Sequence, residues 1–129
     1  MGKTRKIKVL VVDNERGFAA TLAERMRLRN MEAESVNSGE EALAACACFF
    51  PDVIVLDMQM PEMSGLDVLS QVKILDPSIE VILLTGHGSL ELGITGMELG
   101  AFDYIIKPVD LALLMEKIVE ANTMRRSKK

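Results

Sequence analysis

Cysteine is scarce in this chain of 129 residues. The only two, Cys46 and Cys48, stand two positions apart in a segment that the residue pattern predicts to be helical. Side chains two positions apart on a helix face different sides, so these thiols cannot bridge each other there. We therefore expect both to be reduced and packed on their helix, rather than joined in a disulfide.

Long apolar runs are also lacking. No stretch approaches the roughly 20 apolar residues that a membrane-spanning helix needs. The basic segment from Met1 to Lys8 is not followed by the apolar core of a signal peptide, because Asp13 and Glu15 interrupt it. We expect a cytoplasmic protein that does not engage a membrane.

An excess of positive charge is missing as well. The formal net charge is -4 and the sequence pI is near 5.0. Because nucleic-acid-binding domains usually carry a basic face, this balance argues against nucleic-acid binding by the domain itself. The length suits one domain, which we place at residues 1–124, followed by a basic tail or the start of a linker at 125–129.

The most informative segment runs from Pro51 to Pro61. Its four apolar residues, 53–56, lead directly into Asp57. A short, continuous apolar run between prolines is typical of a buried parallel strand. Asp57 then stands at the carboxyl end of that strand, which is where open α/β sheets collect their chemistry.

Strands and helices alternate along the chain. The five predicted strands are Ile7–Val12, Ala33–Val36, the run ending at Asp57, Glu80–Leu84 and Phe102–Ile106. The apolar stripes of five helices follow them in turn: Phe18, Leu22 and Met26; Leu43, Cys46 and Phe50; Val68, Leu69, Val72 and Leu75; Leu90, Ile94, Met97 and Ala101; Leu111, Leu114, Met115, Ile118 and Val119. This alternation predicts an α/β fold with a five-stranded parallel sheet covered by helices on both faces. We expect the sheet to be doubly wound and flavodoxin-like, with the order 2-1-3-4-5 that is common in such folds. Gly93 and Gly96 predict a soft fourth helix, and we expect the chain to fray from Met124.

Five polar residues follow strand ends: Asp13, Asn14, Asp57, Thr85 and Lys107. In this strand order the first and third strands are neighbours, so Asp13, Asn14 and Asp57 converge on one crevice. Close carboxylates repel each other and suit a hard divalent cation such as Mg²⁺. The charge of Lys107 and the hydroxyl of Thr85 can hold the oxygens of a phosphoryl group on Asp57.

Four motifs occur in a fixed order: Val12-Asp13-Asn14-Glu15, Leu56-Asp57-Met58-Gln59-Met60-Pro61 with Gly65, Leu84-Thr85-Gly86, and Tyr104-Ile105-Ile106-Lys107-Pro108. Each is weak alone, but together they resemble the receiver domain of bacterial two-component response regulators, similar in plan to the chemotaxis regulator. The resemblance covers essentially the whole chain.

The resemblance implies that Asp57 accepts a phosphoryl group from a histidine kinase or phosphotransfer protein. It also implies that the domain is no enzyme beyond catalysing its own phosphorylation and dephosphorylation. Mg²⁺, or Mn²⁺, would be bound by Asp13, Asp57 and the backbone carbonyl of Gln59. Thr85 and Lys107 would contact the phosphoryl group, and Tyr104 matches the aromatic position that changes rotamer in such domains.

The chain departs from the family pattern at two positions. Asn14 replaces a second acid, which keeps an oxygen ligand but removes a charge and leaves its share of the metal site open. Gly86 stands where alanine is common, which should loosen the loop that carries Thr85. The residues expected to border the site are Met58, Gln59, Gly86 and His87, of which Gln59 and His87 would tune the lifetime of the phosphoryl group.

Two local expectations concern the edges of the site. Asp13 also suits the N-cap position of the first helix, alongside its role as a ligand. The peptide bond between Lys107 and Pro108 is predicted to be cis, because only X-Pro bonds adopt that isomer at low cost and this bond has to turn Lys107 into the crevice.

Two classes of function compete for these residues. In the first, phosphorylation biases the face formed by the fourth helix, fifth strand and fifth helix towards an output domain, a target protein or a second copy of the chain. The alternative is a phosphohydrolase of the haloacid dehalogenase type, which also uses a strand-end Asp, a Thr or Ser, a Lys and Mg²⁺. Such enzymes need a second acid two positions after the nucleophile, where this chain has Gln59, and the chain lacks a cap domain.

Overall fold

Strands and helices alternate throughout the computed structural model, which describes residues 5–86 and 90–127. The strands are β1 (Lys8–Val12), β2 (Glu32–Val36), β3 (Val53–Asp57), β4 (Glu80–Thr85) and β5 (Asp103–Ile106). The helices are α1 (Arg16–Leu28), α2 (Gly39–Cys48), α3 (Gly65–Leu75), α4 (Leu90–Glu98) and α5 (Leu111–Ser127). Each strand begins and ends within one residue of its predicted bounds.

The five strands form one parallel sheet of order β2-β1-β3-β4-β5, which confirms the doubly wound, flavodoxin-like fold. β3 is the central strand and pairs with β1 on one side and β4 on the other. The order reverses between β1 and β3, so the crevice predicted for Asp13 and Asp57 lies at the switch point of the sheet.

Two apolar layers cover the two faces of the sheet. Alternate residues of β3 point to opposite layers: Val53 and Val55 pack with α1 and α5, while Ile54 and Leu56 pack with α2 and α3. All four are fully buried, each contributing about 1.5–3 kcal/mol of transfer free energy. This double burial explains the continuous apolar run before Asp57 and holds that residue on the most enclosed strand.

Two predicted apolar stripes are wrong at their ends. Phe50 lies beyond the last residue of α2, with a positive φ of 55°, and 65% of it is exposed. Leu75 ends α3 and is 60% exposed. Phe50 stands one residue beyond the C-cap of α2, and Leu75 is the last residue of α3, so both lie where the helical stripe ends. Cys46 and Cys48 lie on α2 as free thiols, one buried and one exposed, as predicted.

The predicted stripe of α4 is also wrong, because this helix packs on the sheet through its glycines. Gly93 and Gly96 are buried, whereas Leu90, Ile94 and Met97 are about half exposed. A Cβ atom at Gly96 would overlap the Leu83 side chain. Glycine therefore serves close approach of the backbone here, beyond the softness that its low helix propensity predicts.

Helix α5 continues further than predicted. It reaches Ser127 with Arg125 buried, so the fraying expected from Met124 is not seen up to Ser127, and the boundary expected after residue 124 falls within the helix. Val119, assigned to the buried stripe, is 50% exposed. In the part of the chain that the structure describes, no helix has the length and apolar character to cross a bilayer.

Candidate functional site

Asp57 ends the central strand and lies beside the charged side chains of Lys107 and Asp13. Only 5% of the residue is exposed. Its Oδ1 atom lies 3.4 Å from Lys107 Nζ and accepts the backbone N–H of Gln59 at 3.3 Å. The carboxylate is therefore held by a cation and by the first turn of the loop that follows β3.

Lys107 joins the two acids of the crevice. Its Nζ atom lies 3.5 Å from Asp13 Oδ2, in addition to its contact with Asp57. The backbone N–H of Lys107 donates to the carbonyl of Thr85 at 2.7 Å, which ties the ends of β4 and β5 together. The Lys107–Pro108 peptide bond is cis. The Lys107 side chain thus reaches from the end of β5 to the acid that follows β1 and the acid that ends β3.

Asp13 is fully buried directly after β1. Its Oδ1 atom accepts the N–H of Glu15 at 2.9 Å, while α1 begins at Arg16 with Glu15 in the N-cap position. The expected role of Asp13 as that N-cap is therefore wrong: its side chain holds the turn before the helix. Its Oδ2 atom faces Lys107 and the crevice.

The electrostatics of the site favour a cation. Burial raises the pKa of the Asp57 carboxyl above its ordinary value, and the neighbouring Asp13 carboxylate raises it further, so that the attraction of Lys107 does not compensate. Burial alone would lower the pKa of Lys107, but the charges of Asp57 and Asp13 raise it above its ordinary value. Two desolvated carboxylates sharing one ammonium group thus leave uncompensated negative charge.

Thr85 ends β4 with only 1% of its surface exposed. Its Oγ1 atom is buried, and none of the described residues provides a hydrogen-bond partner for it. Native structures rarely leave a buried hydroxyl unpaired, because the lost hydration costs about 1–3 kcal/mol. Its position beside the Lys107 backbone suits a hydroxyl that hydrogen-bonds to a ligand in the crevice.

The remaining predicted residues occupy varied surroundings. Asn14 is exposed at the rim, next to buried Asp13. Met58 is buried in the core layer under α2 and α3, so it borders the site through its backbone, whose N–H donates to Leu84. Tyr104 is half-buried beneath α4.

The loops after β3 and β4 approach each other at the edge of the crevice. Gln59 is exposed, and a Cβ atom at Gly86 would stand 3.6 Å from its Oε1 atom. That distance is an ordinary contact, so the local space does not demand glycine at position 86. His87, also expected to border the site, lies outside the described residues.

The donor set fits Mg²⁺ in part. Within residues 5–86 and 90–127, no three His, Cys, Asp or Glu side chains gather closely enough to enclose a metal ion. Mg²⁺ needs no such cage, since it is usually held by one or two carboxylates and keeps waters or phosphate oxygens in its other positions. Asp13 and Asp57 supply those carboxylates, and their excess negative charge favours the ion.

Three residues that contact the site residues were not predicted to do so. Phe18 lies under Lys107, with the Nζ atom 5.3 Å from the ring centroid, a cation–π contact. Asn37 donates from Nδ2 to the carbonyl of Asp13 at 3.0 Å. Gly65 packs on the backbone of Met58 and Asp57, where a Cβ atom would stand 2.7 Å from Met58 Cα. Only Gly65 had a sequence signal, its place in the motif around Asp57.

Comparison with known sequences identifies relatives. Residues 9–119 match the family described as response regulator receiver domain. Regulatory protein AtoC of Escherichia coli strain K12 is 32% identical over 122 residues, covering 92% of this chain and 26% of AtoC. Transcriptional regulatory protein PrrA of Mycobacterium bovis is 35% identical over 111 residues, covering 86% of this chain and 48% of PrrA. The chain thus spans less than half the length of these two relatives.

Solved structures agree with these sequence matches. A response regulator receiver domain protein from Clostridium thermocellum superposes with a TM-score of 0.90 at 34% identity, covering 95% of this chain and 99% of that one. A CheY-like receiver domain protein from Methanospirillum hungatei also gives a TM-score of 0.90, at 27% identity, with 97% and 100% coverage.

Proposed function

The chain belongs to the response regulator receiver domain family, and from this premise we propose that Asp57 is its phosphoacceptor. One observation carries the assignment. The Asp57 carboxylate ends the central strand and shares the Lys107 ammonium group with buried Asp13, at 3.4 Å and 3.5 Å. A nucleophile, a fixed cation and a second acid therefore meet at the switch point of the sheet.

In the proposed reaction an Asp57 carboxylate oxygen attacks the phosphorus of a phosphohistidine or a small acyl phosphate. The new oxygen–phosphorus bond forms as the bond to the donor breaks, and the donor keeps the electron pair. Lys107, already 3.4 Å from the carboxylate, is placed to pair with the oxygens of the transferred group. The buried Thr85 hydroxyl would donate to the same group.

A divalent cation has a defined place in this proposal. Asp13, Asp57 and the backbone carbonyl of Gln59 would hold Mg²⁺ or Mn²⁺, and Asn14 would contribute from the rim. When bound, the ion would neutralise charge on the transferring phosphoryl oxygens. The raised pKa of Asp57 supports this assignment, because the carboxylates of Asp57 and Asp13 bring more negative charge to the crevice than Lys107 balances.

The proposed output is a shift in the face formed by α4, β5 and α5. Thr85 ends the strand that leads towards α4, and Tyr104 lies directly under that helix. Leu90, Ile94 and Met97 expose apolar surface on the same face. We assign this face to contact with an output domain, a target protein or a second copy of the chain, with a histidine kinase or phosphotransfer protein as the phosphoryl donor.

The phosphohydrolase alternative is not supported. The family match covers most of the chain, and Gln59 holds the position where haloacid dehalogenases need a second acid. The domain acts by accepting a phosphoryl group rather than by turning over a phosphate ester.

Intact-mass measurement with acetyl phosphate and Mg²⁺ tests the proposal. The protein should gain one phosphoryl group, and Asp57→Asn should gain none. Asp67→Asn is the matched control, since it makes the same chemical change on the exposed surface of α3 and should be labelled normally. Equal labelling of Asp57→Asn and the unchanged protein would refute the assignment.

A further inference from the structure

An ion pair lies at the end of the sheet remote from the candidate site. Arg125 Nη1 lies 3.2 Å from Asp52 Oδ1. Asp52 is 1% exposed and Arg125 is 8% exposed, although Arg125 belongs to the last turns of α5. Asp52 directly precedes β3, whose opposite end is Asp57, so the two carboxylates mark the two ends of one strand.

Asp52 is fixed by the sheet itself. Its N–H donates to the carbonyl of Lys8 at 2.8 Å, and its own carbonyl accepts the N–H of Glu80 at 3.2 Å. Its Oδ2 atom accepts the N–H of Lys8 at 2.9 Å. Asp52 is therefore joined to the starts of β1 and β4, and it presents Oδ1 to the end of α5 from a rigid position.

A second arginine shares this oxygen but contributes less. Arg5 Nη2 lies 3.1 Å from Asp52 Oδ1, with 66% of its side chain exposed. Exposed ion pairs stabilise little, whereas loss of one partner from a buried pair leaves an uncompensated charge. Arg125, with 10% of its side chain exposed, is thus the partner on which the arrangement depends.

The end of α5 has few other means of attachment. Among residues 122–127, all of them described, only Arg125 is buried. Arg125 and Asp52 also line a partly open pocket of about 620 Å³, together with Cys46, Phe50 and Leu75. Since no apolar side chain among residues 122–127 is buried, apolar packing does little to hold this part of the helix, and the ion pair with Asp52 is its buried attachment.

We propose that the Asp52–Arg125 pair anchors the end of α5 to the start of β3, whether or not Asp57 is phosphorylated. The anchor fixes the direction of the last turns of α5, residues 122–127. All the contacts of Asp52 lie at the edge away from Asp57, and β3 between them is buried and paired on both sides. A conformational signal would then leave through α4 and β5, without a swing of the end of α5; this second part rests on the proposed function.

Amide hydrogen exchange of Arg125→Met against Arg126→Met tests the anchor. Both changes remove one charge from the same turn and keep a straight side chain of similar helix propensity, but Arg126 is exposed. In Arg125→Met, amides 122–127 should exchange about 10-fold faster or more, while those near Ile118 keep their protection. Arg126→Met should leave all of them within about 2-fold of the unchanged protein. Equal exchange in the two variants would overturn the anchor.

A second variant shows whether faster exchange comes from loss of the ion pair or from the new methionine side chain. Asp52→Asn removes the charge from the other side of the pair and should speed exchange of the same amides. If Asp52→Asn leaves the end of α5 as protected as before, the anchor is refuted even where Arg125→Met exchanges faster.

The second part needs the phosphorylated protein. After mass measurement establishes labelling by acetyl phosphate and Mg²⁺, exchange at residues 122–127 should stay within about 2-fold of the unlabelled protein. A larger change would overturn the claim that the anchor is independent of Asp57. If no label is taken up, the proposed function fails, while the comparison of Arg125→Met with Arg126→Met still decides the anchor.

Discussion

Gly93 of α4 lies against the ring of Tyr104 with no room for a side chain between them. A Cβ atom at Gly93 would stand 2.6 Å from Tyr104 Cδ2 and 3.0 Å from Cγ. The helix backbone therefore rests on the ring, and the ring cannot change its position freely while α4 stays in place. The position of Tyr104 and the position of α4 are coupled through this contact.

Gly93→Ala should displace α4 from Tyr104. The overlap should lower the free energy of unfolding by about 1–3 kcal/mol, although alanine favours helices. The chain has one tyrosine and no tryptophan, so tyrosine fluorescence reports on Tyr104 alone. Acrylamide quenching should increase in the variant, because the displaced helix exposes the ring.

Gly17→Ala is the matched control on α1. Nothing lies within 4 Å of the added Cβ atom, and the position is exposed. This change should raise the free energy of unfolding by about 0.5–1 kcal/mol and leave the quenching of Tyr104 unchanged. If Gly93→Ala behaves like Gly17→Ala, the coupling is absent.

Asp57→Asn should stabilise the metal-free protein at neutral pH. Burial and Asp13 raise the pKa of Asp57 in the folded state, so the folded state binds the proton more readily than the unfolded state does. Stability contributed by the protonated group is complete below the unfolded pKa, and it is lost as pH rises through the raised folded pKa. Urea unfolding in EDTA should show the variant more stable at about pH 7, with the gap closing well below the ordinary Asp value of 3.8. A gap that widens on acidification would show that Asp57 is held in its ionised form.

Asn14→Asp should tighten Mg²⁺ binding. A charge at the rim, next to Asp13, attracts the ion at short range, but hydration and repulsion between the acids offset most of the gain. We expect a gain of up to about 10-fold in affinity, equivalent to roughly 1.4 kcal/mol, in a titration at fixed ionic strength. Unchanged or weaker binding would mean that position 14 does not face the ion.

Gly65→Ala should damage the loop beneath Asp57. The added Cβ atom would stand 2.7 Å from Met58 Cα and 2.9 Å from the Asp57 carbonyl, and backbone atoms cannot yield as a flexible side chain can. We expect a loss of about 1–3 kcal/mol in stability and slower labelling by acetyl phosphate.

Ser64→Ala separates loss of stability from damage to the site. Ser64 Oγ accepts the N–H of Asp67 at 3.3 Å and caps α3, so its loss should cost about 1 kcal/mol. Labelling should continue at the original rate in this variant. If Gly65→Ala is also labelled at the original rate, its contact with Asp57 has no part in the function.

The sheet and the meeting of Asp13, Asp57 and Lys107 were predictable because each depends on a local signal. Buried parallel strands are apolar on both faces, and their carboxyl ends share one edge, so residues that follow the strands meet. The alternation of elements predicts the parallel sheet, whereas the order 2-1-3-4-5 was expected from common doubly wound folds, since alternation alone does not decide which strands are neighbours.

The packing of α4 and the burial of Arg125 had no such signal. Hydrophobic periodicity assumes that apolar side chains make the contact, whereas Gly93 and Gly96 bring the backbone of α4 onto the sheet. The partner of Arg125 lies on a distant strand, and a basic residue near a helix end resembles a solvated one until the fold places Asp52 beside it. Long-range ion pairs and backbone contacts arise from the assembled structure.

The Thr85 hydroxyl, buried with no hydrogen-bond partner among residues 5–86 and 90–127, would link stability to the proposed response. A buried hydroxyl that has no acceptor destabilises a fold by about 1–3 kcal/mol. A phosphoryl oxygen on Asp57 would accept a hydrogen bond from this hydroxyl. The free energy gained on phosphorylation would then include the cost that the missing hydrogen bond had imposed on the fold. Thr85→Val would remove the buried hydroxyl. The variant should melt at a higher temperature, and its conformation should respond less to phosphorylation. On the proposed function, marginal stability at Thr85 would be part of how the domain responds to phosphorylation.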